Sequence, residues 1–227
     1  MKAGAAPTLP RVNDGWLSGP ERRAIDWIAP RLPGWLLPNH LTALGIAAAA
    51  VACLGYILAA RAPAWLWVVN FALATNWFAD SLDGAVARLR HLERPRFGFF
   101  LDQSVDVLSQ LLFALGLGLS VFIRMEVVAI GLATYLMMTV QGLLRAEVRR
   151  VFHLASGGMG LTEVRCLFLF VNALFYFVPP TSFEIAGRPA VYGDVLGSAW
   201  IVANLIAYLR TMVAELRSLH REEGPPK

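Results

Sequence analysis

Asp80, Asp83, Asp102 and Asp106 lie inside two strongly apolar stretches, 27 residues from first to last. Stretches of that length and polarity read as helices that cross a bilayer. A carboxylate near the bilayer centre costs roughly 2.5–3.5 kcal/mol on insertion scales. Something must therefore neutralise the four acids, and no Lys or Arg lies among them within the apolar stretches. Divalent cations would do so. The chain reads as a candidate membrane enzyme with a metal site.

The surrounding composition agrees. The chain is 57% hydrophobic and 16% charged, against about 25% charged for a soluble domain. The N-terminal region to Leu37 is polar and rich in proline. It lacks the short apolar core and small-residue cleavage site of a secretory signal, so the first apolar run is expected to be retained. The net charge of +4 comes from cations flanking apolar runs, which suits membrane orientation and excludes a nucleic-acid partner. Cys53 and Cys166 fall in apolar runs and read as packing residues. The four histidines are scattered, without metal-ligand spacing.

Six apolar segments follow one another: 41–60, 64–88, 98–123, 127–144, 164–178 and 190–212. Each is near the roughly 20 residues needed to span at 1.5 Å per residue. Arg22, Arg23 and Arg31 precede the first span, Arg88 to Arg96 follow the second, Arg145 to Arg165 follow the fourth, and Arg210 to Lys227 close the chain. Only Arg61, Arg124 and Arg188 fall on the opposite side. This bias predicts six spans with both termini cytoplasmic. Because Lys2 and Lys227 are the only lysines, a GC-rich bacterial source and a plasma (inner) membrane location are expected. Residues 21–35 place Ile25, Ile28, Leu32 and Trp35 along one side, interrupted by Pro30 and Pro33. That pattern predicts a short amphipathic helix at the interface. The expected fold is all-α and polytopic. Residues 1–37 form a cytoplasmic tail and interfacial helix, 38–215 a six-helix catalytic domain, and 216–227 a cytoplasmic tail. Met1 to Asp14 is expected to be a loose tail. Gly116 and Gly118 are expected to serve helix packing, and Asp194 and Glu184 to lie on the outer side. Trp65, Trp67 and Trp200 suit an outer aromatic belt, and Trp27 and Trp35 an inner one.

Helical spacing organises the acids. Asp80 and Asp83 are i, i+3 neighbours, and Asp102 and Asp106 are i, i+4 neighbours, so each pair shares a face. Gly84 and Ala87 extend the first face with small side chains, letting a bulky group approach. The second span descends to the cytoplasm, placing Asp83 about 8 Å and Asp80 about 12 Å above its end. The third ascends, placing Asp102 about 6 Å and Asp106 about 12 Å up. As packed antiparallel neighbours, the two spans would set Asp83 beside Asp102 and Asp80 beside Asp106. Four hard oxygen donors suit Mg²⁺ or Mn²⁺, plausibly as a pair of ions, with substrate phosphates completing the shell. Helix-cap aspartates meeting headgroup water are the alternative, and four at these spacings weigh against it.

The string Asp80-x-x-Asp83-Gly84-x-x-Ala87-Arg88, followed after nine residues by Gly98-x-x-x-Asp102-x-x-x-Asp106, resembles the signature of the CDP-alcohol phosphotransferase (phosphatidyltransferase) family. All eight fixed positions are present. The resemblance implies two divalent ions held mainly by Asp80, Asp83 and Asp102, which grip the pyrophosphate of a CDP-linked donor. It implies that Asp106 acts as general base, while also touching a metal, and takes the proton of an alcohol acceptor. CMP then leaves. It further implies Gly84 and Ala87 as the approach surface for the nucleotide, Arg88 near the phosphates, a homodimer, and a role in phospholipid synthesis. Pro38-Asn39-His40-Leu41-Thr42 also resembles a stretch that the family carries at its first span. Asn39 or Thr42 would then touch the cytidine, although Pro38 and Asn39 equally suit a plain helix start.

Arg145 and Arg149, with Arg165, form a cluster able to bind a phosphate on the acceptor, or else plain flanking cations. Thr162 and Glu163 suit a helix N-terminus. Glu163 also resembles a Thr-Glu stretch of choline and ethanolamine phosphotransferases and would attract a cationic head group. The donor is expected to be CDP-diacylglycerol with a polar acceptor, although a CDP-linked head group with a lipid alcohol fits the same motif. Two other classes compete: a Mg²⁺-dependent membrane prenyltransferase and a divalent-cation transporter. The short chain and the Asp-Gly-x-x-Ala-Arg string oppose the first. The clustering of all four acids at one depth opposes the second.

Overall fold

The computed structural model describes residues 11–12, 16–150, 152–153, 155–156, 159–185 and 187–224. Most of the expected N-terminal tail, Gly157 and Gly158, and Lys227 lie outside the described residues. Seven α-helices stand among the described residues. They are α1 (Ser18–Ile28), α2 (Pro38–Ala59), α3 (Trp65–Leu89), α4 (Pro95–Gly118), α5 (Met125–Arg149), α6 (Leu161–Phe177) and α7 (Tyr192–Glu223). Strand pairing among the described residues is short, and it includes one long-range parallel pair, Arg11–Val12 with Phe152–His153. Its longest case is the hairpin of Ser182–Ile185 with Arg188–Val191 in the α6–α7 connection.

The helices α2, α4, α5 and α7 are long and apolar enough to cross a membrane. The 25 residues of α3 are interrupted by Asn70, Asn76, Asp80 and Asp83, and α6 has 17 residues. Polarity runs opposite to that of a soluble bundle. Phe71, Phe100 and Phe170 are 76%, 74% and 67% exposed, while Asn76, Asn172 and Asn204 are buried. Such an apolar exterior, with polar side chains withdrawn among the helices, suits lipid as the solvent.

Small residues explain how the helices pack. Gly45, Ala48, Ala49, Ala52 and Ala59 are buried along α2, which packs against both α3 and α4. A Cβ on Gly116 of α4 would sit 2.6 Å from the Cα of Cys53, so only glycine allows that crossing. A Cβ on Gly118 would meet the flexible thioether of Met125 at 2.6 Å, which can shift. The packing role expected of both glycines is therefore clearest at Gly116. Where apolar burial gives no preference over lipid, polar contacts add specificity. Tyr56 donates to Asn172 Oδ1 at 2.9 Å, and Asn172 donates to Asn70 Oδ1 at 2.8 Å, joining α2, α6 and α3. On α7, buried Asp194 accepts from the backbone N–H of Arg124 at 2.8 Å and from its Nε at 3.0 Å.

The N-terminal helix leans on α3. Ala29, just past α1, is buried with Leu41, Leu82 and Val86, and Ile25, Ile28 and Leu32 pack around them. Pro30 sits in a 3₁₀ turn that ends the helix, and Leu32 is extended. The short helix expected to be interrupted at Pro30 and Pro33 thus stops at Ile28, because the prolines lack the N–H groups that would continue it.

Candidate active site

The turn between α3 and α4 sets the height of the acids. His91 adopts φ 54°, a left-handed conformation that costs a non-glycine residue roughly 1–2 kcal/mol. Its N–H bonds Arg88 O at 3.2 Å, and that of Leu92 bonds Ala87 O at 2.9 Å. Together they form a Schellman closure of α3. Pro95 then opens α4, where its missing N–H is no loss. Arg90 pins this corner to the preceding loop by donating to the carbonyls of Leu32, Pro33, Gly34 and Leu36 at 2.6–3.1 Å.

Carboxylate oxygens of Asp80, Asp102 and Asp106 all lie within 4.8 Å of one another. Asp83 lines the same cleft, together with Thr42, Gly45, Asn76 and Val105. The trio fits a divalent cation. It offers only hard oxygen donors, and its spread is close to the about 4.2 Å across an octahedral Mg²⁺ shell. No thiolate or imidazole competes among the lining residues.

Asp80 lies beside Asp106, as expected, and Asp102 joins the same group. Asp83 Oδ2 accepts from the Thr42 hydroxyl at 2.7 Å. The helices α3 and α4 are not the closely packed pair expected: each packs on α2. Their carboxylates reach across the gap between them, and the pocket is that gap. Thr42, expected at the cytidine, is engaged by the motif itself. The second departure concerns charge. Arg165 of α6 donates to Asp80 Oδ2 at 2.7 Å, so a cation does reach the acids, from a helix distant in sequence. One turn deeper, buried Asn76 donates to Gly45 O at 3.0 Å and to Ser109 Oγ at 3.4 Å, tying α3 to α2 and α4.

The remaining predicted residues divide. Gly84 is open apart from Arg88, whose Nη1 would be 3.3 Å from an added Cβ. Arg88 thus folds back along the face that Gly84 and Ala87 leave clear. Asn39 Oδ1 accepts from Arg94 at 2.9 Å. Arg145 and Arg149 do not line the cleft. Their Nε atoms donate to Glu215 of α7 at 2.7 and 2.9 Å, and Arg149 also pairs with Glu222 at 2.6 Å. Glu163 accepts the N–H of Leu17 at 2.7 Å, at the start of α1.

Sequence reasoning missed Asn76, the Arg165–Asp80 pair and Glu21. Glu21 of α1 accepts from Trp77 Nε1 at 2.9 Å, Ser81 Oγ at 2.8 Å and Thr162 Oγ1 at 2.7 Å, which joins α1 to α3 and α6. Asn76 carried a signal: it stands one turn before Asp80 on the same face. The other two pairings are long-range and carried none.

Known proteins are similar to part of this chain. The archaetidylinositol phosphate synthase of Methanothermobacter thermautotrophicus is 34% identical over 144 residues, covering 62% of this chain and 66% of that protein. The chain thus matches just under two thirds of that relative's length. The archaetidylinositol phosphate synthase of Pyrococcus horikoshii is 31% identical over 140 residues, covering 62% and 70%. Residues 35–209 match the family described as CDP-alcohol phosphatidyltransferase, a range that holds the whole cleft and all eight motif positions. With an acidic pocket of the right composition inside the matched range, the chain belongs to the CDP-alcohol phosphatidyltransferase family.

Proposed function

We propose that this protein transfers a phosphatidyl group from CDP-diacylglycerol to a polar alcohol and releases CMP, as a step of phospholipid synthesis. The observation that carries the reading is the meeting of Asp80, Asp102 and Asp106 in the cleft that Asp83 also lines. When bound there, two Mg²⁺ or Mn²⁺ ions would offset charge on the donor's diphosphate and on the departing CMP. Asp80, Asp83 and Asp102 would hold those ions, with Asp106 at the same oxygen cluster. Asp106 accepts the proton of the acceptor hydroxyl. The freed oxygen attacks the β-phosphorus, the bond to the bridging oxygen breaks, and CMP carries that electron pair away. Gly84 and Ala87 give the nucleotide a flat approach, with Arg88 beside the phosphates. Asn39 and Thr42 stand at the cytidine side of the cleft, and Thr42 also orients Asp83.

The names of the two relatives favour a phosphorylated polyol, such as an inositol phosphate, as the acceptor. Arg145 and Arg149 are the proposed contacts for its phosphate, sharing their forks with Glu215. Glu163 is the further proposed contact for the acceptor.

The same reading takes α2 to α7 as six spans. Although α3 is polar, its 25 residues reach about 37 Å, and α6 reaches about 26 Å. The arginine bias puts both ends in the cytoplasm of a bacterial cell with the protein in its plasma membrane, and α1 at the inner interface with Trp16, Trp27 and Trp35 exposed. Residues 1–37, 38–215 and 216–227 are the tail with its interfacial helix, the catalytic domain and the closing tail. A homodimer follows from the family resemblance.

The test is CMP release by purified protein with Mg²⁺, CDP-diacylglycerol and a panel of alcohols that includes inositol phosphate and glycerol phosphate. Release that needs both metal and acceptor supports the reading. Absence of CMP release with every acceptor removes it.

A further inference from the structure

Arg165 makes an ion pair that the proposed chemistry does not use. Its Nη2 donates to Asp80 Oδ2 at 2.7 Å, and the two side chains are only 17% and 22% exposed. Both ends of the pair are fixed by their surroundings. Thr162, one turn before Arg165, donates to Glu21, and the same carboxylate accepts from Trp77 and Ser81, which flank Asp80 on α3. A positive charge is therefore built against a carboxylate that shares a 4.8 Å cluster with Asp102 and Asp106.

We propose that Arg165 is the resident counter-ion of the carboxylate cluster and competes with a divalent cation for Asp80. The inference rests on the metal-binding reading above. Three carboxylates this close repel one another, and an opposite charge relieves that repulsion. The same charge opposes the arrival of a second cation. Metal affinity in the absence of nucleotide is thereby held down, and the donor's diphosphate supplies the further negative charge that tips the balance. Arg165 acts through Asp80 and is a positioning residue, not a ligand.

Mn²⁺ binding to the full chain in nanodiscs, followed by electron paramagnetic resonance without nucleotide, tests this. Arg165→Gln is expected to bind Mn²⁺ at least tenfold more tightly than wild type, with Arg165→Lys near wild type. Unchanged or weaker binding by Arg165→Gln overturns the proposal. Asp102→Asn separates the two readings. If wild type binds Mn²⁺ and Asp102→Asn does not, a null result for Arg165→Gln removes the counter-ion alone. If no variant binds Mn²⁺, the metal site and the proposal fall together. The wild type gives a second measurement that does not depend on the variant folding. Mn²⁺ is expected to speed phenylglyoxal modification of Arg165 several-fold, read by peptide mass spectrometry, and an unchanged or slower rate overturns the proposal.

Discussion

The hydroxyl of Thr42, in the second turn of α2, donates to Asp83 Oδ2 on α3 at 2.7 Å, and its oxygen also lies 3.2 Å from Pro38 O. Thr42 is buried. This contact ties α2 to the acidic motif at the cleft and fixes one oxygen of a carboxylate that lines it.

Removing that hydroxyl should loosen Asp83. A hydrogen bond to a charged group contributes about 1.5–3 kcal/mol. Thr42→Val is expected to raise the Mg²⁺ concentration needed for half-maximal CMP release roughly ten- to a hundredfold on that figure. Thr42→Ser should stay near wild type. Equal Mg²⁺ dependence in wild type and Thr42→Val would show that the contact plays no part in metal use.

Asp106→Asn keeps the shape of the side chain and removes its basicity. Turnover is expected to fall by about 10²–10⁴, while the Kd for the CDP donor, measured by calorimetry, changes only a few-fold. Lost donor binding with retained chemistry would reverse the assignment and make Asp106 chiefly a ligand.

Arg149 offers a test of acceptor specificity. Arg149→Ala is expected to raise KM for a phosphorylated acceptor about tenfold, the loss of one charge-assisted contact, and to leave KM for an unphosphorylated alcohol unchanged. A matched rise for both would assign Arg149 to the α5–α7 ion pairs with Glu215 and Glu222 instead.

Glu21→Ala removes the acceptor shared by Trp77, Ser81 and Thr162. The expected loss is about 3 kcal/mol, from charged hydrogen bonds and the donors left unpaired. A fall in Tm in detergent, partly restored in Glu21→Gln, is the measurement. An unchanged Tm would mean that α1 is not fastened through this carboxylate.

Reporter fusions at either end should both read as cytoplasmic. A periplasmic signal from one end would make the span count odd and break the assignment of the cleft to the cell interior.

The one-dimensional order of residues determined a good deal. Helices recur every 3.6 residues, so Asp80 with Asp83, and Asp102 with Asp106, share faces whatever surrounds them. Pro38 and Pro95 mark helix starts because proline tolerates the first turn and little else. Chain length and apolar runs located the helices of a membrane protein, although α7 continues to Glu223, well past the expected end at 212, because its polar last turns carry no apolar signal. What sits between the helices was a different matter. That α2 packs on both α3 and α4, turning Asp83 toward Thr42, depends on small residues such as Gly45 and Gly116 meeting partners far along the chain. Arg165 reads by position as a flanking cation and by coordinates as the partner of Asp80. Arg145 and Arg149 read as a phosphate site and are held by Glu215. Periodicity is a local property of the backbone and survives in sequence. The pairing of charges across helices is settled only when packing brings them within a few ångströms, and only the tertiary structure decides that.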